Sequence, residues 1–257
     1  MAALKKAGKG AFIPFLVAGD PDLDTTAEAI LELDRAGADI IELGVPYSDP
    51  LADGPIIQAA ATRALASGTT LDKVLAMVER MSPRISARLV MFTYYNPIMR
   101  RGAERFCQQA KAAGASGLLV PDIPLEETTD IRRFATAAGL ELVVLVTPTT
   151  PEERMREIVA VSQGFVYLVS VAGVTGQRPR NESRVEGLIK LLHGMTDKPI
   201  AVGFAVSGPE QARQLMAWGA EGVIVGSALV EALAAAPSPA EGVRAVGKLA
   251  RSIRAAV

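Results

Sequence analysis

The sequence predicts a closed (β/α)8 barrel forming a single domain over residues 1–257, with residues 1–10 as a short N-terminal tail. Three observations carry this expectation. Eight short apolar or β-branched runs alternate with amphipathic stretches along nearly the whole chain. Those runs are almost continuously apolar, as in a parallel sheet covered by helices. Helical stretches also stop repeatedly at a glycine just before the next run, at Gly37, Gly114, Gly139 and Gly219. Eight such units favour a closed barrel over an open doubly wound sheet. After the first run stands AGDPDLDTT, where a dinucleotide-binding sheet would carry G-x-G-x-x-G.

In chain order, the first strand is expected in AFIPFLV (11–17), followed by the helical pattern TTAEAILELDRAG. DIIELGV (39–45) leads through an acidic, proline-rich loop into PIIQAAATRALASG. ARLVMFTYY (87–95) precedes GAERFCQQAKAAG, and GLLVPDI (117–123) and LELVVLVT (140–147) follow. PEERMREIVAVS then leads to GFVYLVSV (164–171) and RVEGLIKLLHGM. PIAVGF (199–204), PEQARQLMAWGA and GVIVGSA (222–228) complete the series.

Composition narrows the function. A formal net charge of −1 gives no electrostatic case for binding nucleic acid or an anionic membrane. No apolar run approaches the ~20 residues of a membrane span. The single cysteine, Cys107, excludes a disulfide framework and fits a reducing compartment. A cytoplasmic location is expected, or the plastid stroma if a transit peptide has been removed. His193 is the lone histidine, so an imidazole metal site is not expected, and it reads as a residue of a helix C-terminus.

Barrel chemistry sits at the C-terminal ends of the strands. Glu42 interrupts the apolar run of the second strand, sharing a face with Ile40 and Gly44. A buried, unpaired carboxylate is costly and retains its proton. No lysine or arginine stands at a strand end to pair with it, which favours an acid/base role over a structural ion pair. Asp53 is open to two readings: a turn or helix-cap residue in ADGP, or a second site carboxylate if the loop folds back over the mouth. Asp122, in VPDIP, reads as an acceptor that fixes a loop.

Gly203, Phe204 and Ala205 after the seventh strand, with Gly226 and Ser227 after the eighth, fall where barrels hold phosphate. Glycine at these points also marks ordinary βα turns. All eight lysines lie in helices, the tail or the bottom face, which disfavours a Schiff-base aldolase. What remains is metal-free, cofactor-free proton transfer on a phosphorylated substrate, with AGVTGQRPRN, containing Gly173 and Gly176, as the gating loop.

The motifs ELGVPYSDPLADGP, FTYYNPI, VPDIPLEE, YLVS…GVTG, GF…VSGPEQ and GVIVGSA, in this order over residues 10 to about 250, resemble the tryptophan synthase α-subunit family. The wording of PDLDTTAEA, FTYYNPI and FVYLVSV is similar to its plant and cyanobacterial branch. The resemblance implies a carbon–carbon lyase converting indole-3-glycerol phosphate to indole and glyceraldehyde 3-phosphate. It makes Glu42 the proton shuttle and Asp53 the partner of the indole N–H. Phe15, Tyr167 and Tyr94 or Tyr95 would pack near the indole. The phosphate would rest near Gly176, Gly203, Phe204, Ala205, Gly226 and Ser227, with Thr175 closing over the site onto Asp53. Pro46, Asp49 and Pro124 would face a β subunit in an α2β2 heterotetramer, and pyridoxal phosphate would belong to that subunit.

Three departures from the family pattern stand out. Ala205 replaces the usual glycine, which restricts φ at the phosphate seat. The gating loop lacks a basic residue that some members carry. The short N-terminus implies that the helix closing the barrel's bottom is mostly missing, with lower stability as the consequence. A stand-alone lyase releasing free indole, or an idle barrel that only activates a β subunit, are the competing readings. Retention of Asp49 favours the synthase.

Overall fold

The computed structural model describes residues 1–170, 178–203 and 206–257. Eight parallel strands close into a barrel in simple chain order: β1 (Ala11–Val17), β2 (Ile40–Gly44), β3 (Arg88–Phe92), β4 (Gly117–Leu119), β5 (Glu141–Val146), β6 (Val166–Val169), β7 (Ile200–Gly203) and β8 (Gly222–Val225). β8 pairs back onto β1, with Ile13 beside Ile224. The first helix, α1 (Ala2–Lys6), precedes β1, and α2 (Leu23–Arg35) follows it. Two helices follow β2, α3 (Pro55–Ala66) and α4 (Leu71–Met81), and two follow β3, α5 (Tyr95–Arg101) and α6 (Ala103–Ala112). The series continues with α7 (Thr128–Ala138), α8 (Glu152–Val161), α9 (Arg178–His193) and α10 (Pro209–Ala217), and ends with α11 (Ser227–Ala234) and α12 (Pro239–Arg254) after β8.

Side chains alternate along each strand, so every strand contributes to two apolar layers. Ile13, Phe15, Val17, Ile40, Val90, Phe92, Leu119, Val143 and Tyr167 fill the barrel. Phe12, Leu16, Ile41, Leu43, Leu89 and Met91 pack outward against the helices. With Ile40 inside and Ile41 and Leu43 outside, Glu42 points inward. The buried face of α3 (Ile57, Ala60, Ala61, Ala64) belongs to the inner layer, so this helix lies against the barrel mouth.

Three expectations are corrected. The third strand ends at Phe92, not at residue 95, because Tyr95 opens α5; Thr93 still donates its N–H to Leu119 O (3.0 Å). The fourth ends at Leu119, not at residue 123, just ahead of Pro121, which has no N–H to offer a ladder. Finally, residues 1–10 are not a bare tail. Met1 and Leu4, three positions apart and so on one side of α1, pack under the inner layer. Lys5 Nζ ties the helix to Glu221 Oε1 (2.8 Å) and Asp197 O (3.0 Å). The bottom of the barrel is therefore plugged.

Carboxylates at this bottom end are well partnered. Asp39 accepts from Phe12 N (2.9 Å) and faces Arg254, and Glu221 accepts from Ile200 N (2.8 Å). Asp34 accepts from both Ser86 N and Ala87 N (2.9 and 2.8 Å). His193, in the last turn of α9, bonds Gly219 O at 2.9 Å, as its helix-terminal position suggests.

Candidate active site

Glu42 stands in mid-strand, beside Phe15 on β1 and Val90 on β3 in register. It is fully buried, and among the described residues neither carboxyl oxygen has a hydrogen-bond partner. Desolvation raises its pKa from the ordinary carboxylate range to about 8, so it holds its proton at neutral pH.

Asp53 reaches the same region from the β2–α3 loop, which turns back over the mouth. Val45 N donates to Phe92 O (2.8 Å), Asp53 N donates to Pro50 O (3.1 Å), and Gln58 Nε2 donates to Asp53 O (2.8 Å). The helix cap of α3 is Gly54, so the Asp53 carboxyl is not spent on capping. It accepts instead from the Tyr94 hydroxyl at 2.9 Å, and that oxygen in turn accepts from Ala52 N at 3.0 Å. Burial raises the Asp53 pKa, and the Tyr94 bond works against that rise. The Tyr94 phenol is itself held well above its usual value, by burial first and then by the Asp53 charge, so it stays a donor. Tyr47 stacks on Tyr94 at 5.2 Å between centroids and accepts from Asn96 Nδ2 (2.8 Å). A chain of contacts thus fixes the Asp53 oxygen.

A cavity of about 260 Å3 opens at the mouth, lined by Asp53, Phe15, Phe92, Tyr167, Ile57, Ile224, Val206, Ser207, Gly226, Ser227 and Glu231. Phe15 and Phe92 meet edge to face at 5.3 Å. Tyr167 is buried, and its phenol is pushed far up by desolvation and then by the nearby Glu42 and Asp53 charges. Two strand-end glycines make room for these rings. A Cβ on Gly44 would lie 2.7 Å from Phe15 Cζ, and one on Gly203 would lie 2.5 Å from the Tyr167 hydroxyl. Gly203 therefore serves the ring of Tyr167.

At the far wall of the cavity, α11 begins with Gly226 as its cap and no side chain bonding its first N–H groups. In this it is like α3, α6, α8 and α10, which also lack a side-chain cap, and unlike α2, α4 and α12, which are capped by Asp22, Thr70 and Ser238. Uncapped N–H groups and the helix dipole suit an anion.

Of the expected site residues, Glu42, Asp53, Phe15, Tyr167, Gly203, Gly226 and Ser227 converge on the mouth. Tyr94 belongs there too, holding Asp53, whereas Tyr95 packs with the outer layer and gives its N–H to Asp122 Oδ1 (2.9 Å). Asp122 is thus the loop-fixing acceptor expected. Thr175, Gly176, Phe204 and Ala205 lie outside the described residues. Asp49 and Pro124 are exposed, while Pro46 is buried beneath the loop. Phe92, Ile57 and Ile224 went unremarked in the sequence. For Phe92 the signal was available, since it alternates inward with Val90 on β3.

Fold and site together define a (β/α)8 barrel enzyme in which Asp53 lines an apolar pocket and Glu42 lies buried beside Phe15 of its wall. The chain belongs to the family described as tryptophan synthase alpha chain, whose model matches residues 1–257. The tryptophan synthase alpha chain of a Picosynechococcus species is 58% identical over 255 residues, 99% of this chain and 96% of that one. That of a Synechocystis species is 57% identical with the same coverage. Among solved structures, the tryptophan synthase a2b2 complex of Pyrococcus furiosus contains a chain that superimposes with a TM-score of 0.89 at 39% identity, covering 95% of this chain and 97% of that chain. A chain of the Mycobacterium tuberculosis tryptophan synthase in an aminoacrylate-bound form gives 0.88 at 34%, covering 100% and 96%.

Proposed function

We propose that this chain cleaves indole-3-glycerol phosphate to indole and glyceraldehyde 3-phosphate, as the α subunit of a tryptophan synthase. The observation that carries this reading is a buried, protonated Glu42, without a hydrogen-bond partner among the described residues, and a Tyr94-held Asp53, both close enough to Tyr167 of the pocket wall to act on its phenol.

The chemistry follows from the two environments. Glu42, acid-loaded at neutral pH, gives its proton to indole C3, while Asp53 accepts the N–H that becomes more acidic as the ring turns into an indoleninium. The Glu42 carboxylate then takes the proton of the glycerol C3′ hydroxyl. The C3–C3′ bond breaks, its electron pair restores the indole, and the aldehyde forms. Glu42 ends as it began, protonated.

Phe15, Tyr167 and Phe92 sandwich the ring, and the phosphate rests on the N–H groups at Gly226 and Ser227. Thr175 and Gly176 of the β6–α9 loop, with Phe204 and Ala205, complete the phosphate side and the closure over it.

The partner is a β subunit, in an α2β2 assembly like that of Pyrococcus furiosus. Asp49 and Pro124 face it, and Asp49 lines a groove of about 790 Å3 together with Pro46, Tyr47, Asn96, Arg100 and Arg101. Leu51, 91% exposed in the same loop, is available to such a partner. Pyridoxal phosphate belongs to the partner, and no cofactor is assigned to this chain. Among the described residues no helix is long and apolar enough to cross a membrane, and the reaction is assigned to the cytoplasm.

The test is turnover of indole-3-glycerol phosphate by the chain alone and with its β subunit. Slow turnover alone and strong acceleration on mixing is expected. High activity alone, unchanged by the partner, would convert the assignment to a stand-alone lyase.

A further inference from the structure

Asp53 is held at its carboxyl by Tyr94, but its backbone is carried by α3, and the inward face of that helix is unusual. Its buried positions after Ile57 are Ala60, Ala61 and Ala64. Alanines allow close approach to the strands but offer no interdigitating side chain, so they define the helix's position along its own axis only weakly. Something else must set it.

That something lies at the opposite end of the helix. Arg63 donates from Nε to Asp20 Oδ1 (2.7 Å) and from Nη2 to Asp20 Oδ2 (2.8 Å), a bidentate pair on the β1–α2 turn. Asp20 is 2% exposed. The same turn receives Ser67 Oγ from the end of α3 onto Gly19 O (3.3 Å) and is braced by Gly19 N donating to Thr26 Oγ1 (2.9 Å). Gly19 has φ +87°, and a Cβ there would strike Thr69 Oγ1, so the turn and the segment after α3 are in direct contact. Since the β1–α2 turn continues the strand that bears Phe15, the clamp references α3 to the pocket wall.

We propose that Asp20 and Arg63 are positioning residues for the lyase reaction: their bidentate pair fixes the axial setting of α3 and thereby the distance of Asp53 from the indole nitrogen. The inference rests on Asp53 acting at the indole N–H. A planar, two-bond link suits this task, because it resists sliding and rotation together. Asp53 immediately precedes the cap of α3, and from Pro55 to Arg63 runs about 12 Å of nearly rigid helix at 1.5 Å per residue, so a shift at one end appears at the other.

The experiment is a double-mutant cycle on the full-length chain, read by kcat and by binding of the non-cleavable analogue indole-3-propanol phosphate. Arg63→Gln is expected to lower kcat on the order of 10-fold, with a smaller rise in KM, and to weaken analogue binding at least several-fold. Arg63→Lys, which keeps the charge but not the fork, should fall between, and it carries the test if Arg63→Gln does not fold. In an Asp53→Asn background, the same Arg63 substitution should change analogue affinity by less than about 2-fold, because the group it positions is gone. Equal losses in both backgrounds would overturn the proposal, as would a lowered melting temperature with kcat and affinity intact. An Asp53→Asn chain with full activity would remove the role of Asp53 itself, and the inference with it.

Discussion

Carboxyl groups at the bottom of this barrel are treated in the opposite way to Glu42 and Asp53 above them, while Asp20 and Asp122, also at the mouth end, are partnered like those at the bottom. At the bottom, Asp39, Asp34 and Glu221 each accept main-chain N–H bonds, and Asp39 and Glu221 also face a cation. Toward the mouth, among the described residues, Glu42 has no hydrogen-bond partner and the Asp53 carboxyl accepts from the Tyr94 phenol. Both ends sit on the same strands, so the contrast does not come from the fold. It separates groups that stabilise the native state from one that destabilises it in its charged form, and the latter is where acid/base chemistry is available.

The widest effect expected from breaking this contrast is at Glu42. Glu42→Gln should lower indole release by on the order of 1,000-fold or more while the circular dichroism spectrum is retained. It should also make the fold more stable. The folded-state pKa is raised from 4.5 to about 8, so stability is undiminished below the unfolded value and is lost as pH rises toward 8. The gain from the amide should therefore grow between pH 5 and 8, by up to roughly 1.4 kcal/mol per pH unit in denaturant titrations. A destabilised Glu42→Gln would return that residue to a structural role.

Asp53→Asn comes next, with a loss of about 100-fold in kcat and weaker binding of indole-3-propanol phosphate by calorimetry. Tyr94→Phe, which removes the only side-chain bond to that carboxyl among the described residues, should cost less, about 10-fold, and should raise the Asp53 pKa further. The pH profile sharpens the same contrast. kcat/KM should fall on the alkaline side as Glu42 loses its proton near pH 8, and on the acid side as Asp53 gains one. In Glu42→Gln the alkaline limb should vanish from whatever rate remains.

The smallest expected effect is at the other end. Asp39→Ala leaves Phe12 N without its acceptor and should cost about 1–3 kcal/mol in urea unfolding, with kcat unchanged. A comparable loss of kcat there would blur the division between the two ends.

Much of this division was legible in the sequence, because the strand period alone places Glu42 inside. Ile40, Glu42 and Gly44 share one face by alternation, and no basic residue stands at a strand end. Asp122 and His193 were likewise readable from their places beside a proline turn and a helix end. What could not be read lies in contacts across the barrel. Nothing local ties Tyr94 to Asp53, forty-one positions away, or Arg63 to Asp20. The cyanobacterial affinity in the wording is matched by the Picosynechococcus and Synechocystis relatives. The N-terminal residues misled because MAALKK is too short to nucleate a helix alone; packing of Met1 and Leu4 under the barrel supplies what propensity lacks.

The two glycines under the aromatic rings constrain how such a pocket can change over generations. Tyr167 occupies the space in which a side chain at position 203 would stand, and Phe15 does the same for position 44. Each ring and its glycine share one allotment of volume across adjoining strands. Enlarging either glycine alone drives its ring into the cavity, while trimming either ring alone opens a void. Heritable variation at 203 is therefore tolerated best when 167 shrinks in step, and the width of the pocket evolves by paired exchange.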